Sequence, residues 1–208
     1  VSGRARLAGR WRRARLAGVL LAALAAGTVA AGELEGALAA LRAGQPGAAR
    51  ATLERLAAGG DPGAQEALAA LLVRGIGGPR DVTGAMGWYC LLAHRPEGGR
   101  GVMQAAWTLA EYYRTGGAVP ALGYRAGRRE DENPLRAYFW YGVMAANGRL
   151  YRRPDTAAAR LGRLGMSSVG RELFAAERSA IETALAGWSP ADAPASRAAC
   201  LAEPQSGP

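Results

Sequence analysis

The chain contains no lysine; all 26 of its basic residues are arginine. That excludes chemistry needing a side-chain ammonium: a phosphate-binding P-loop lysine, a Schiff base, a Ser-Lys dyad. Histidine occurs once, at His94, so any mechanism that uses two histidines is excluded as well. The two cysteines, Cys90 and Cys200, together with that histidine are too few for a closed zinc site, which takes four ligands. G-x-S-x-G, H-E-x-x-H and a complete G-x-G-x-x-G are also missing, and Gly75-Ile76-Gly77-Gly78 is too short to cradle a pyrophosphate. Runs of alternating Val, Ile and Thr are lacking, so no sheet is predicted. No cofactor is expected.

What is present is arginine, alanine and leucine, very unevenly distributed. The 208 residues carry a formal net charge of +9, which by itself would suggest nucleic acid or a membrane surface. Six of the arginines (Arg4, Arg6, Arg10, Arg12, Arg13 and Arg15) precede an uncharged apolar run from Leu16 to Val29, closed by the small residues Ala30 and Ala31. A basic segment, a short apolar run and a small-residue site together make a secretory signal peptide, assigned to residues 1–31. The run is short for a bilayer-spanning helix. Arg12-Arg13 raises the twin-arginine route, but Arg15 stands where that pattern needs an apolar residue, which favours the general route. Without residues 1–31 the chain holds 20 basic and 17 acidic residues, a net +3 that is ordinary for a soluble domain. The nucleic-acid reading then loses its basis, and membrane contact is expected only through that first segment.

Beyond residue 31, segments with apolar residues at three- and four-residue spacing alternate with Gly- and Pro-rich punctuation, the pattern of helices joined by short loops. The chain also repeats itself. A shift of 41 aligns Ala64, Leu68, Leu72 and Gly75 with Ala105, Leu109, Tyr113 and Gly116. A shift of 52 aligns Asp81, Ala85, Trp88 and Ala93 with Asn133, Ala137, Trp140 and Ala145. The difference of 11 residues is an insertion within 117–132 of the second copy. A degenerate earlier copy appears at a shift of 88, where Pro46, Ala49 and Gly60 align with Pro134, Ala137 and Gly148 and Thr52 stands in place of Trp. Each copy predicts two antiparallel helices that bury their shared face only by stacking on neighbours.

Ala64, Leu68, Leu72, Gly75, Gly77, Asp81, Ala85, Trp88, Tyr89 and Ala93, and again Ala105, Leu109, Tyr113, Gly116, Ala137, Trp140, Tyr141, Ala145, Ala146 and Gly148, follow a pattern that resembles the Sel-one-like repeat family, a relative of the tetratricopeptide repeats. Departures are Ala69 and Ala110 for the glycine after Leu, Leu72 for Tyr, Asn133 for Asp, and the insertion. The resemblance implies an all-α fold, a short α/α solenoid of two clear repeats and one degenerate one over residues 32–148. It implies a protein–protein adaptor in a bacterial envelope, with no catalytic residues to carry over. Some cysteine-rich relatives are linked to β-lactam binding or hydrolysis, which makes an envelope enzyme the alternative.

Past the array, residues 149–188 read as a helical cap: Asp155 as N-cap of a helix to Leu164, and Ser167 or Ser168 as cap of a longer one to Trp188. Residues 189–208, rich in Pro, Ala and Ser, read as a fraying tail. His94 falls at a helix end, where a cation is favoured. Cys90 reads as a buried small apolar residue, although a bridge to Cys200 is chemically allowed in an exported protein. Arg125, Arg128 and Arg129 with Glu130, Asp131 and Glu132 read as a solvated loop. Helical-wheel positions place Gln104, Trp107, Thr108, Glu111 and Tyr112 on the face of their helix away from the repeat core. These are the candidate binding residues for a protein or peptide partner.

Overall fold

The computed structural model describes residues 32–192, 194 and 196–202; the signal segment predicted over residues 1–31 lies outside them. The architecture is all-α, with no strand among the described residues. A first helix, α1, covers 32–42. It is followed by α2 (Pro46–Ala58), α3 (Pro62–Arg74), α4 (Val82–Ala93), α5 (Arg100–Arg114), α6 (Pro134–Ala145), the one-turn α7 (Asn147–Leu150), α8 (Thr156–Val169), α9 (Ala175–Gly187) and α10 (Arg197–Ala202). From α2 to α6 each helix packs on the next, α6 then meets both α8 and α9, and α10 returns to α4. None of the described helices is long and apolar enough to cross a membrane.

Local chemistry sets the helix starts. Proline opens α2, α3 and α6, where its fixed φ suits the first turn and no N–H is lost. Asp61, Asp81, Asn133 and Asp155 cap α3, α4, α6 and α8, their side-chain oxygens accepting from Ala64 N (2.7 Å), Gly84 N (2.7 Å), Arg136 N (3.0 Å) and Ala158 N (3.0 Å). Gly75 ends α3 at φ 69°, and Gly116 turns the chain at φ 62° after α5.

The two clear repeats are α3–α4 and α5–α6, and their aligned residues occupy matching places. Ala64, Leu68 and Leu72 are buried as are Ala105, Leu109 and Tyr113; Ala85, Trp88 and Tyr89 are buried as are Ala137, Trp140 and Tyr141. Truncating a leucine at such a site costs ~2–5 kcal/mol.

Two sequence-based expectations change, and the insertion proves tethered at its base. Ser167 and Ser168 do not begin a helix: α8 runs through both, exposed on its outer side, and ends at Gly170. The next helix starts instead at Ala175, where the Glu177 carboxylate accepts from Phe174 N at 2.7 Å. The insertion is anchored at its base: Ala118 and Val119 are buried, Val119 pairs with Tyr124, and Arg128 N donates to Gly116 O at 2.8 Å. Its charged residues 125–132 remain exposed, as expected of a solvated loop. Finally, the tail does not fray through Ala202. The α10 helix lies on α4, Arg197 covers the Trp88 ring at 4.4 Å, and Arg136 donates to Leu201 O at 2.7 Å.

Candidate functional site

The face of α5 turned from the core carries the candidate binding residues. Gln104 is exposed, and Trp107, Glu111 and Tyr112 are half-buried. Thr108 differs: it is buried, and its hydroxyl donates to Gln104 O at 2.8 Å, so it cannot touch a partner. Successive turns present Arg100, Gln104, Trp107, Glu111 and Arg114 toward solvent, which adds two arginines that core-avoidance alone had not singled out. Their signal was available in the sequence, since they extend the same helical stripe by one turn each way.

Glu111 is the most constrained member of this stripe. The Arg114 guanidinium donates to both of its oxygens, at 3.1 and 2.6 Å, and the Tyr141 hydroxyl reaches over from α6 to donate to Oε1. Burial pushes this carboxyl upward, but the Arg114 and Tyr141 hydrogen bonds outweigh it, and the result lies below the usual glutamate range. Burial, and then the hydrogen bond to Glu111 and its charge, hold the Tyr141 phenol well above the usual tyrosine range. Tyr112 packs edge-on against Tyr113, with ring centroids 5.2 Å apart. Burial raises its pKa as well. The stripe therefore joins one rigid anionic point to an aromatic ring and flanking cations.

A second cluster lies at the end of α4. Cys90 and Cys200 form a disulfide, so Cys90 is not the free buried thiol expected from the sequence. Tertiary folding supplies what sequence separation could not: α10 returns to α4 and brings the two Cα atoms to 5.9 Å. His94 ends α4 as expected, its Nδ1 2.8 Å from Cys90 O and 3.6 Å from Cys200 Sγ. An aromatic wall surrounds it. The His94 ring meets Trp188 edge-on at 5.2 Å and Trp140 at 6.0 Å, and Tyr151 donates to Ala93 O at 2.7 Å. Ligand-type atoms of Cys90, His94 and Cys200 converge within 4.8 Å, but the bridged sulfurs offer no thiolate to a cation. The arrangement does structural chemistry: it ties α10 to α4.

An apolar cavity of about 500 Å³ opens between α6, α8 and α9, bounded by Gly142, Ala145, Arg149, Met166, Glu182 and Leu185. Its two charged groups are engaged, Arg149 donating to Leu185 O at 2.9 Å and Glu182 accepting from the Tyr138 hydroxyl at 2.9 Å. No family model matches the chain, and neither a curated protein nor a solved structure shows significant similarity to it.

Proposed function

We propose that the chain is an exported helical-repeat scaffold that binds a protein or peptide in the cell envelope through the outer face of α5. The observation that carries this reading is the stripe of Arg100, Gln104, Trp107, Glu111 and Arg114, in which a half-buried indole sits beside the bonded Glu111–Arg114 pair on a packed helix. Trp and Arg are the residue types that most often anchor binding energy, and placement on a packed helix keeps the ordering cost low. The export pattern of residues 1–31 supports an envelope location, and the disulfide suits an oxidising compartment. The likeness of the repeat residues to the Sel-one-like pattern supports an adaptor role.

The test is affinity capture from envelope extract with the native protein and with Trp107→Ala as bait, followed by direct binding to whatever the native bait retains. Native capture with at least a tenfold loss for W107A supports the reading. Binding unchanged by W107A and by Tyr112→Ala removes α5 as the site, and nitrocefin hydrolysis by the purified protein would replace the scaffold reading with an enzymatic one. Intact-mass analysis of the native protein tests export: the expected amino terminus is near Gly32, and retention of residues 1–31 would mean no cleavage.

A further inference from the structure

We propose a second contact surface, where the outer face of α8 docks on an anionic lipid bilayer. Among the described residues four large hydrophobic side chains are exposed, and three of them fall in a stretch of 14 residues: Leu161 at 52%, Leu164 at 60% and Phe174 at 78% exposure. Leu161 and Leu164 stand one turn apart on α8. The inner face of the same helix is already occupied. There Ala158, Gly162 and Val169 are buried, and Gly162 and Gly165 let α8 lie directly on Tyr141, Met144 and Ala145 of α6. The leucines therefore cannot turn inward; they belong to a face that is unpartnered among the described residues.

Charge identifies the occupant. Residues 149–171 hold six arginines (149, 152, 153, 160, 163 and 171), all exposed, against the single acid Asp155. Among the described residues none of the six is paired with a carboxylate. This segment alone carries +5, more than the +3 of everything after residue 31, so the rest of that chain is slightly acidic. Two acids stand near Phe174: Glu172, which is exposed, and Glu177, which is half-buried with its carboxylate engaged by Phe174 N at 2.7 Å. A concentration of guanidinium groups without carboxylate partners calls for an anionic surface. The interleaved Leu161, Leu164 and Phe174 call for hydrocarbon beneath that charge, which a nucleic acid or a polysulfated chain does not offer. A bilayer with anionic headgroups offers both: guanidinium groups at the phosphate level, and apolar side chains inserted to the acyl boundary. This departs from the expectation that only the N-terminal segment meets a membrane.

The test must report on α8 itself, because the apolar run 16–29 of the full chain can bind lipid on its own account. Hydrogen exchange of the full chain is followed by mass spectrometry in peptides covering 156–174, with phosphatidylcholine vesicles and with vesicles that also contain phosphatidylglycerol. The expected result is slower exchange in 156–174 with the anionic vesicles only. That protection should fall about tenfold or more in Arg160→Gln/Arg163→Gln and in Leu161→Ser/Leu164→Ser. All four positions are exposed, and an unchanged melting temperature verifies that both variants fold. Equal exchange in both vesicle types would overturn the proposal. So would equal protection by heparin, a soluble polyanion without lipid, and so would protection that rises with protein concentration in the absence of vesicles, which would mean self-association. Retention of the W107A binding phenotype throughout keeps this outcome separate from that of α5.

Discussion

At the residue scale, Glu111 shows how position on a helix and contact across helices combine. Its place on the α5 stripe follows from helical periodicity, but its ionisation is set by Arg114 one turn on and by Tyr141 from α6. A carboxyl whose folded pKa is lowered stabilises the fold above its unfolded pKa of ~4.3 and loses that contribution as pH falls through the lower folded value. Acid unfolding of the native protein and of Glu111→Gln should therefore differ in stability at pH 6–7 and converge below about pH 4. Denaturant titrations at stepped pH check this. Tyr141 and Tyr151 behave in the opposite sense. Burial raises both phenols, so their contribution is full below the ordinary tyrosine pKa of ~10 and declines as pH rises beyond it. Tyr151→Phe should flatten part of the alkaline limb of the stability profile, at the cost of the hydrogen bond to Ala93 O.

At the element scale, the capping and small residues carry the specificity. Asp81 and Asn133 are equivalent caps in successive repeats, so Asp81→Ala and Asn133→Ala should each cost ~1 kcal/mol in equilibrium denaturation. Gly148 and Gly162 form a sharper contrast. A Cβ on Gly162 would lie 2.5 Å from Ala145 N and 2.6 Å from the Tyr141 carbonyl oxygen, whereas a Cβ on Gly148 meets nothing within 4 Å. Gly162→Ala should push α8 off α6 and cost ~1–3 kcal/mol, while Gly148→Ala, inside a helix, should be neutral or stabilising by up to ~1 kcal/mol. Thermal melts of the two variants decide it. The sequence offered Gly148 as part of the repeat pattern and gave no sign of Gly162, because close helix approach depends on the partner's backbone. Repeat registration, by contrast, was legible: proline starts, caps and left-handed glycines act within a few residues of themselves. The α8–α9 break was misplaced at Ser167 and Ser168 because either serine can cap or continue a helix, and packing of α8 on α6 favoured continuation.

At the scale of the whole molecule, the returning α10 closes the architecture. The Cys90–Cys200 bond spans 110 residues of sequence, so it restricts the unfolded chain strongly. Its removal by Cys90→Ser/Cys200→Ser should cost ~2–4 kcal/mol, which for a chain of this size lowers the melting temperature by roughly 5–15 °C. Calorimetry measures that loss, and hydrogen exchange should place it first in α10, with α3 to α6 still protected. The two proposed surfaces lie on different elements, α5 for a protein or peptide and α8 for a bilayer, and both elements rest on Tyr141 of α6.

By itself the sequence determined the all-α class, the repeat register and the Asp155 cap, and it supplied the pattern on which the export proposal rests. All of these rest on local spacing: 3.6-residue periodicity, residues that favour one φ or one terminal position, and charge counted along the chain. Tertiary structure decided the disulfide, the docking of the C-terminal segment, the burial of Thr108, the pairing of Glu111 with Tyr141 and the exposure of Leu161 and Leu164. Each of these depends on which distant segment covers a given face, and hydrophobic periodicity names the face without naming its neighbour.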